Sequence, residues 1–158
     1  MTTHQIDDDV SLALDDTDRA VLNARIADAR ADVHDIAAET GIVANRVDDR
    51  LARLRAAGVV DGCRARLDYD KLGYDVTALV HLSLTEDSVI DRLRADPQFM
   101  TVYEVTGSVD AIAFGTFRDR DALNETVTDL VTDPAVESVD TSVAMAVHRE
   151  FEPFELDA

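Results

Sequence analysis

An α+β protein in two parts is predicted by three features of the 158-residue sequence. Apolar residues recur at helical spacing through residues 15–57, and β-branched alternation takes over from residue 76. Third, basic residues gather in the first part of a chain whose formal net charge is -18. Residues 15–66 hold nine Arg against ten Asp and Glu, whereas residues 67–158 hold six basic groups against twenty acidic ones. Within residues 46–66 alone six Arg face three Asp, so a positive patch stands inside a strongly acidic protein and marks where an anionic partner belongs.

Residues 1–14 are expected to be a loose lead-in, because Asp7, Asp8 and Asp9 repel one another. A first helix follows, capped by Asp15 or Thr17, with Val21, Leu22 and Ile26 about one turn apart. Asp32 caps a second helix whose Val33, Ile36 and Ala37 form an apolar stripe, and Gly41 stops it. The third spans residues 43–57, with Val47, Leu51 and Leu54 facing inward and Gly58 ending it. Helix, glycine turn, helix, with a supporting helix in front, is the trihelical helix-turn-helix, assigned to residues 15–62.

Residues 59–67 read as extended, a short wing or linking strand, and residues 63–75 as the link and hinge to a second domain at 76–150. That domain alternates a strand at 76–84, a helix at 88–95 closed by Pro97, strands at 100–106 and 111–117, a helix at 120–131 and a strand at 136–147. The order β-α-β-β-α-β is ferredoxin-like, with both helices on one face of the sheet. Leu79, Val102 and Ile112 leave apolar groups on both faces, so the helix-free face calls for a partner subunit. Residues 151–158 form a tail.

Composition excludes several classes. A hydrophobic content of 46% suits a chain that buries a core rather than a disordered one. No apolar run is long enough to span a bilayer, and the polar, acidic start is unlike a signal peptide, so a soluble cytoplasmic protein is expected. Cys63 is the only cysteine and His4, His34, His81 and His148 are scattered, so neither a disulfide framework nor a metal site is expected. No nucleophile and base stand at a telling spacing and no glycine loop cradles a phosphate, so no catalytic residues and no cofactor are assigned. Lys71 is the only lysine and Asp far outnumbers Glu, a pattern similar to that of proteins adapted to multi-molar salt, as in halophilic archaea.

These pieces together resemble the Lrp/AsnC family, the leucine-responsive or feast/famine transcription regulators. The resemblance covers roughly residues 14–150. It rests on LDDTDRAVLNARIADARADVHDIAAETGI, on the frame Val47, Arg50, Leu51, Arg53, Leu54, Gly58 and Val59, on RARLDYDKLGY, and on YEVTGSVD at residues 103–110. It implies an N-terminal winged helix-turn-helix that binds double-stranded DNA and a C-terminal domain that dimerises sheet on sheet, with further association to octamers in some members. It also implies a small amino-acid effector in a crevice between subunits, beside the Gly-x-x-Asp hairpin. The chain departs from the family where Val43 replaces a capping serine and where Asp48 and Asp49 join Asn45 and Arg46 on the DNA-facing helix.

Five residues are thus candidates for DNA contact. Asn45 and Arg46 at the start of the third helix suit adenine and guanine edges, Arg50 and Arg53 suit phosphates, and Asp49 shares their surface. The plainer reading of the same residues is an exposed ladder in which Asp49 pairs with Arg46 and Arg53, each pair contributing about 0.3 to 0.5 kcal/mol. Tyr103, Thr106, Gly107 and Asp110, with Thr141 on the last strand, are the effector candidates, Asp110 suiting an ammonium group; an ordinary tight hairpin explains Gly107 and Asp110 as well. A second reading of the whole chain is a ligand-binding or protein-assembly module whose helix-turn-helix has lost specific DNA binding.

Overall fold

A computed structural model describes residues 12–150 and 152–157, which form two compact units. Residues 12–65 and 152–157 make one unit, and Arg66–Glu150 make the other. The predicted lead-in lies, apart from residues 12–14, outside the described residues.

Three helices build the first unit: α1 (Asp16–Ala27), α2 (Val33–Thr40) and α3 (Ala44–Ala56). Local chemistry sets each end. Asp15 accepts from the Asp18 backbone N–H while the Asp18 carboxylate accepts from that of Asp15, and Asp32 and Asp35 repeat this reciprocal box at the start of α2. Val43 precedes α3 with no side-chain cap, as its hydrocarbon side chain requires. Gly41 takes the left-handed conformation, φ 71°, that reverses the chain between α2 and α3. At the far end of α3 the Val59 N–H reaches the Leu54 carbonyl and the Gly58 N–H that of Arg55, a Schellman closure. Val21, Ala24, Ala31, Ile36, Val47 and Leu51 form the core of this unit.

Residues 60–68 correct one expectation. They adopt no strand, so the linking strand does not form among the described residues. Asp61, Cys63, Arg64, Arg66 and Asp68 are exposed, and an extended segment without a neighbouring strand has no ladder to join.

The second unit runs β1 (Val76–Leu84), α4 (Ser88–Ala95), β2 (Phe99–Glu104), β3 (Ala111–Phe117), α5 (Arg120–Val131) and β4 (Val136–Val143). Its antiparallel sheet has the order β2-β3-β1-β4, the predicted ferredoxin-like topology. Ala78, Val80 and Leu82 of β1 and Ala111, Ala113 and Phe117 of β3 are buried with Val89 and Leu93 of α4 and Leu123 of α5. The alternate residues Leu79, His81, Ile112 and Phe114 are only half-buried. Strand β4 stops at Val143 rather than 147, because beyond the Ala144 N–H to Thr77 carbonyl bond (2.8 Å) β1 has almost run out of partners. An ion pair of Arg92 with Asp133 links α4 to the turn before β4 and holds the Asp133 carboxyl below its ordinary range.

Gly115 sits where β2 and β3 close on each other. A Cβ there would lie 2.7 Å from the Gln98 carbonyl oxygen and 3.1 Å from the Phe99 ring. Phe99 packs edge-on to Phe117 at a centroid distance of 6.0 Å, leaving no room for a methyl group. Gly115→Ala is expected to lower unfolding free energy by about 1 to 3 kcal/mol by overpacking. Denaturant unfolding checks this, and a variant as stable as the parent contradicts the packing described.

Candidate DNA-reading helix and effector hairpin

Helix α3 buries Val47, Leu51 and Leu54 along one side, which fixes what the other sides present. Asn45, Arg46, Asp48, Asp49, Ala52, Arg53 and Arg55 are exposed. Arg50 and Arg53 lie on the flank turned toward α1, where they meet a carboxylate that sequence reading did not single out. Asp18 is completely buried. Arg50 Nη1 donates to Asp18 Oδ1 at 3.1 Å and reaches Asp15 Oδ2 at 2.8 Å, while Arg53 Nη2 donates to Asp18 Oδ2. The backbone N–H of Asp15 supplies a further bond to Asp18 Oδ2, at 3.0 Å.

Burial pushes the Asp18 carboxyl up, but the Asp15 N–H and the Arg53 and Arg50 guanidinium groups outweigh it and hold the pKa below the usual 3.8. A buried carboxylate is tolerated only with such partners, so the two arginines support the fold while their side chains stay partly exposed. Arg50 and Arg53 thus clamp α3 against the first turn of α1, a role beside the phosphate contacts expected of them. The alternative ladder does not form, since no pairing of Asp49 with Arg46 or Arg53 occurs among the described residues. With Arg50 and Arg53 answered by Asp18 and Asp15, Arg46 and Arg55 balance Asp48 and Asp49 on the rest of α3. The α3 part of the positive patch thus has no net charge once Asp15 and Asp18 are counted, and the exposed Arg64 and Arg66 against Asp61 keep the patch positive beyond the helix.

In the second unit, Tyr103, Thr106, Gly107 and Asp110 come together around the β2–β3 hairpin, all exposed. The Val105 N–H bonds the Asp110 carbonyl and the Asp110 N–H that of Leu82, both at 2.9 Å, and Asp110 Oδ2 accepts from the Leu84 N–H at 2.7 Å. Asp110 therefore pins the hairpin to the end of β1 and keeps its other carboxylate oxygen available. Gly107 has φ 137°, a conformation that L side chains rarely adopt, and open space beside it. The glycine thus serves the backbone turn rather than a close approach by another part of the chain.

Thr141 is not part of this group. The β1–β4 register places it opposite Val80, whose side chain is buried on the helix-covered face, whereas Tyr103 lies opposite Ile112 on the alternate face. Strand parity decides this, since neighbouring residues point to opposite sides. The Thr141 hydroxyl is buried without a hydrogen-bond partner. Ser142, opposite Leu79, is the residue of β4 that shares the face of Tyr103.

A trihelical helix-turn-helix joined to a β-α-β-β-α-β domain defines a two-domain DNA-binding regulator. Residues 14–61 match the family described as winged helix-turn-helix DNA-binding, and residues 77–153 match the Lrp/AsnC ligand binding domain. An uncharacterized HTH-type transcriptional regulator of Pyrococcus furiosus is 32% identical over 142 residues, spanning 88% of this chain and 96% of its own. Among solved structures, E. coli AsnC superposes with a TM-score of 0.79 at 24% identity, covering 89% of this chain and 99% of AsnC. A feast or famine regulatory protein of M. tuberculosis complexed with L-methionine superposes with a TM-score of 0.84 at 24% identity, over 91% and 100% of the two chains. The chain belongs to the Lrp/AsnC family of transcriptional regulators, which are not enzymes. No helix among the described residues is long and apolar enough to cross a membrane.

Asp18→Asn is expected to destabilise the first unit by about 2 kcal/mol, less than the ~3 to 5 kcal/mol of a fully buried pair because both arginines reach solvent. Since the folded pKa of Asp18 is depressed, its stabilisation is complete above pH 3.8 and is lost as pH falls through the lower folded value. Urea unfolding across the acid range checks both points. A variant with undiminished stability and unchanged acid dependence contradicts the clamp.

Proposed function

We propose that the protein is a sequence-specific DNA-binding regulator that acts as a homodimer and responds to a small amino acid. The observation that carries the DNA reading is the division of labour on α3: Arg50 and Arg53 hold the helix, while Asn45 and Arg46 remain exposed in its first turn. That turn is where a recognition helix meets base edges, and amide and guanidinium groups match adenine and guanine there. Dimerisation is supported by the helix-free sheet face, whose Leu79, Ile112 and Phe114 are half-buried and whose Tyr103 is 57% exposed. Two subunits joined there would set two recognition helices at the separation of successive half-sites. Amino-acid response is supported by the hairpin of Thr106, Gly107 and Asp110 and by the L-methionine bound to the M. tuberculosis relative. Such a ligand acts by preferring one arrangement of subunits over another.

Because the outward surface of α3 is neutral, binding relies on short-range hydrogen bonds rather than on counterion release. Screening within about 3 Å at 1 M salt then costs it little. Asp48 and Asp49 also keep a second reading in view, in which the helix-turn-helix contacts other proteins.

Mobility-shift titrations of the protein with its own promoter test these readings. Asn45→Ala and Arg46→Ala are each expected to lose about 1 to 3 kcal/mol of discrimination, roughly 5- to 150-fold in affinity ratio. Unchanged operator affinity in Arg46→Ala favours the assembly reading. Titration with KCl is expected to give a shallow slope of about one or two in log affinity against log salt, and a steep loss would refute the neutral-surface account.

A further inference from the structure

The C-terminal segment returns to the helix-turn-helix unit and is read there by one side chain. Asn23 of α1 donates from Nδ2 to the Leu156 carbonyl at 3.0 Å and accepts at Oδ1 from the Leu156 N–H at 2.8 Å. Both bonds go to one residue's backbone, the pairing a neighbouring β-strand would supply. Asn23 and Leu156 are half-buried, and beside them runs a groove lined by Ala20, Ala24 and Ala27 of α1, Glu39 and Thr40 at the end of α2, and Glu155. The small alanines let an extended backbone come close to α1, and the asparagine fixes its register.

We infer that the Asn23 groove is a docking surface for an extended peptide and that its occupant is the chain's own C-terminal tail, which serves as a second tether on the DNA-reading unit. The first unit is joined to the second through residues 65–66, and the tail joins it again after Glu150. The six residues from Glu150 to Leu156 reach at most about 20 Å when extended. Whatever arrangement the two units take, the docked tail limits how far α1 can move from the end of the second unit. Opening the latch leaves one connection and a wider range of positions for α3.

Backbone amide exchange of the full-length protein in multi-molar KCl, followed by small-angle scattering, tests this. The Leu156 amide is expected to exchange roughly tenfold or more below its unstructured rate, as two local hydrogen bonds permit. Asn23→Leu, which keeps a good helix former but loses both bonds, is expected to abolish that protection and to broaden the distance distribution at unchanged oligomeric mass. A chain ending at Glu150 should broaden it equally, and it carries the test if Asn23→Leu does not fold. An unprotected Leu156 in the parent, protection that survives Asn23→Leu, or protection that falls on dilution, as for a tail swapped between copies, overturns the proposal. So does an unchanged distribution once the latch is open. Neither readout involves DNA or an amino acid, so these outcomes are independent of the regulatory reading.

Discussion

The buried carboxylate of Asp18 is the constraint on which the DNA-reading unit depends. It belongs to the capping box of α1 and at the same time receives Arg50 and Arg53 from α3. One side chain thus ends one helix and orients another. The hydrophobic contacts of Val21, Ile36, Val47 and Leu51 bring the helices together, but apolar packing is non-directional and leaves the rotation of α3 weakly specified. Hydrogen bonds from two guanidinium groups to one fixed carboxylate specify it. Buried polar groups that select one arrangement among similar ones are a known use of such interactions, and here the selected arrangement sets which residues of α3 face outward.

The charge balance acquires a different meaning once the clamp is recognised. A count along the sequence credits α3 with a positive patch, although two of its four arginines are answered from α1. Beside the partly exposed Arg53, what remains outward is a neutral mixture of Asn45, Arg46, Asp48, Asp49 and Arg55. Such a surface fits a protein with thirty-three acidic residues, in which a strongly cationic helix would be drawn to its own carboxylates. Under the proposed function, affinity would come from contact geometry more than from long-range attraction, the term that screening affects most.

What the sequence revealed and what it hid divide along physical lines. Caps at Asp15 and Asp32, the glycine stops and the two hydrophobic periods are local features, and they located the three helices, the four strands and the β-α-β-β-α-β order. The shared partner of Arg50 and Arg53, Asp18, lies 32 and 35 residues away, and a count of neighbouring charges does not reach it. A signal did exist, since Asp18 stands one turn before Val21 and Leu22 on the same apolar side of α1, and a carboxylate there needs a cationic partner. That Thr141 falls on the helix-covered face could not be read beforehand, because strand parity depends on register, which a single strand does not disclose. The missing linking strand at residues 60–68 and the docked tail depend on whether a segment finds a partner elsewhere in the fold, a tertiary property with no local signature.

The division of labour on α3 is tested most directly by nitrogen-detected NMR of the arginine and asparagine side chains, free and bound to promoter DNA. The clamp predicts guanidinium signals for Arg50 and Arg53 that are already slowed in the free protein and hold their positions on binding, while those of Arg46 and the Asn45 amide move. Arg50 and Arg53 signals that are averaged in the free protein and shift with DNA, beside an unmoved Arg46, would contradict it.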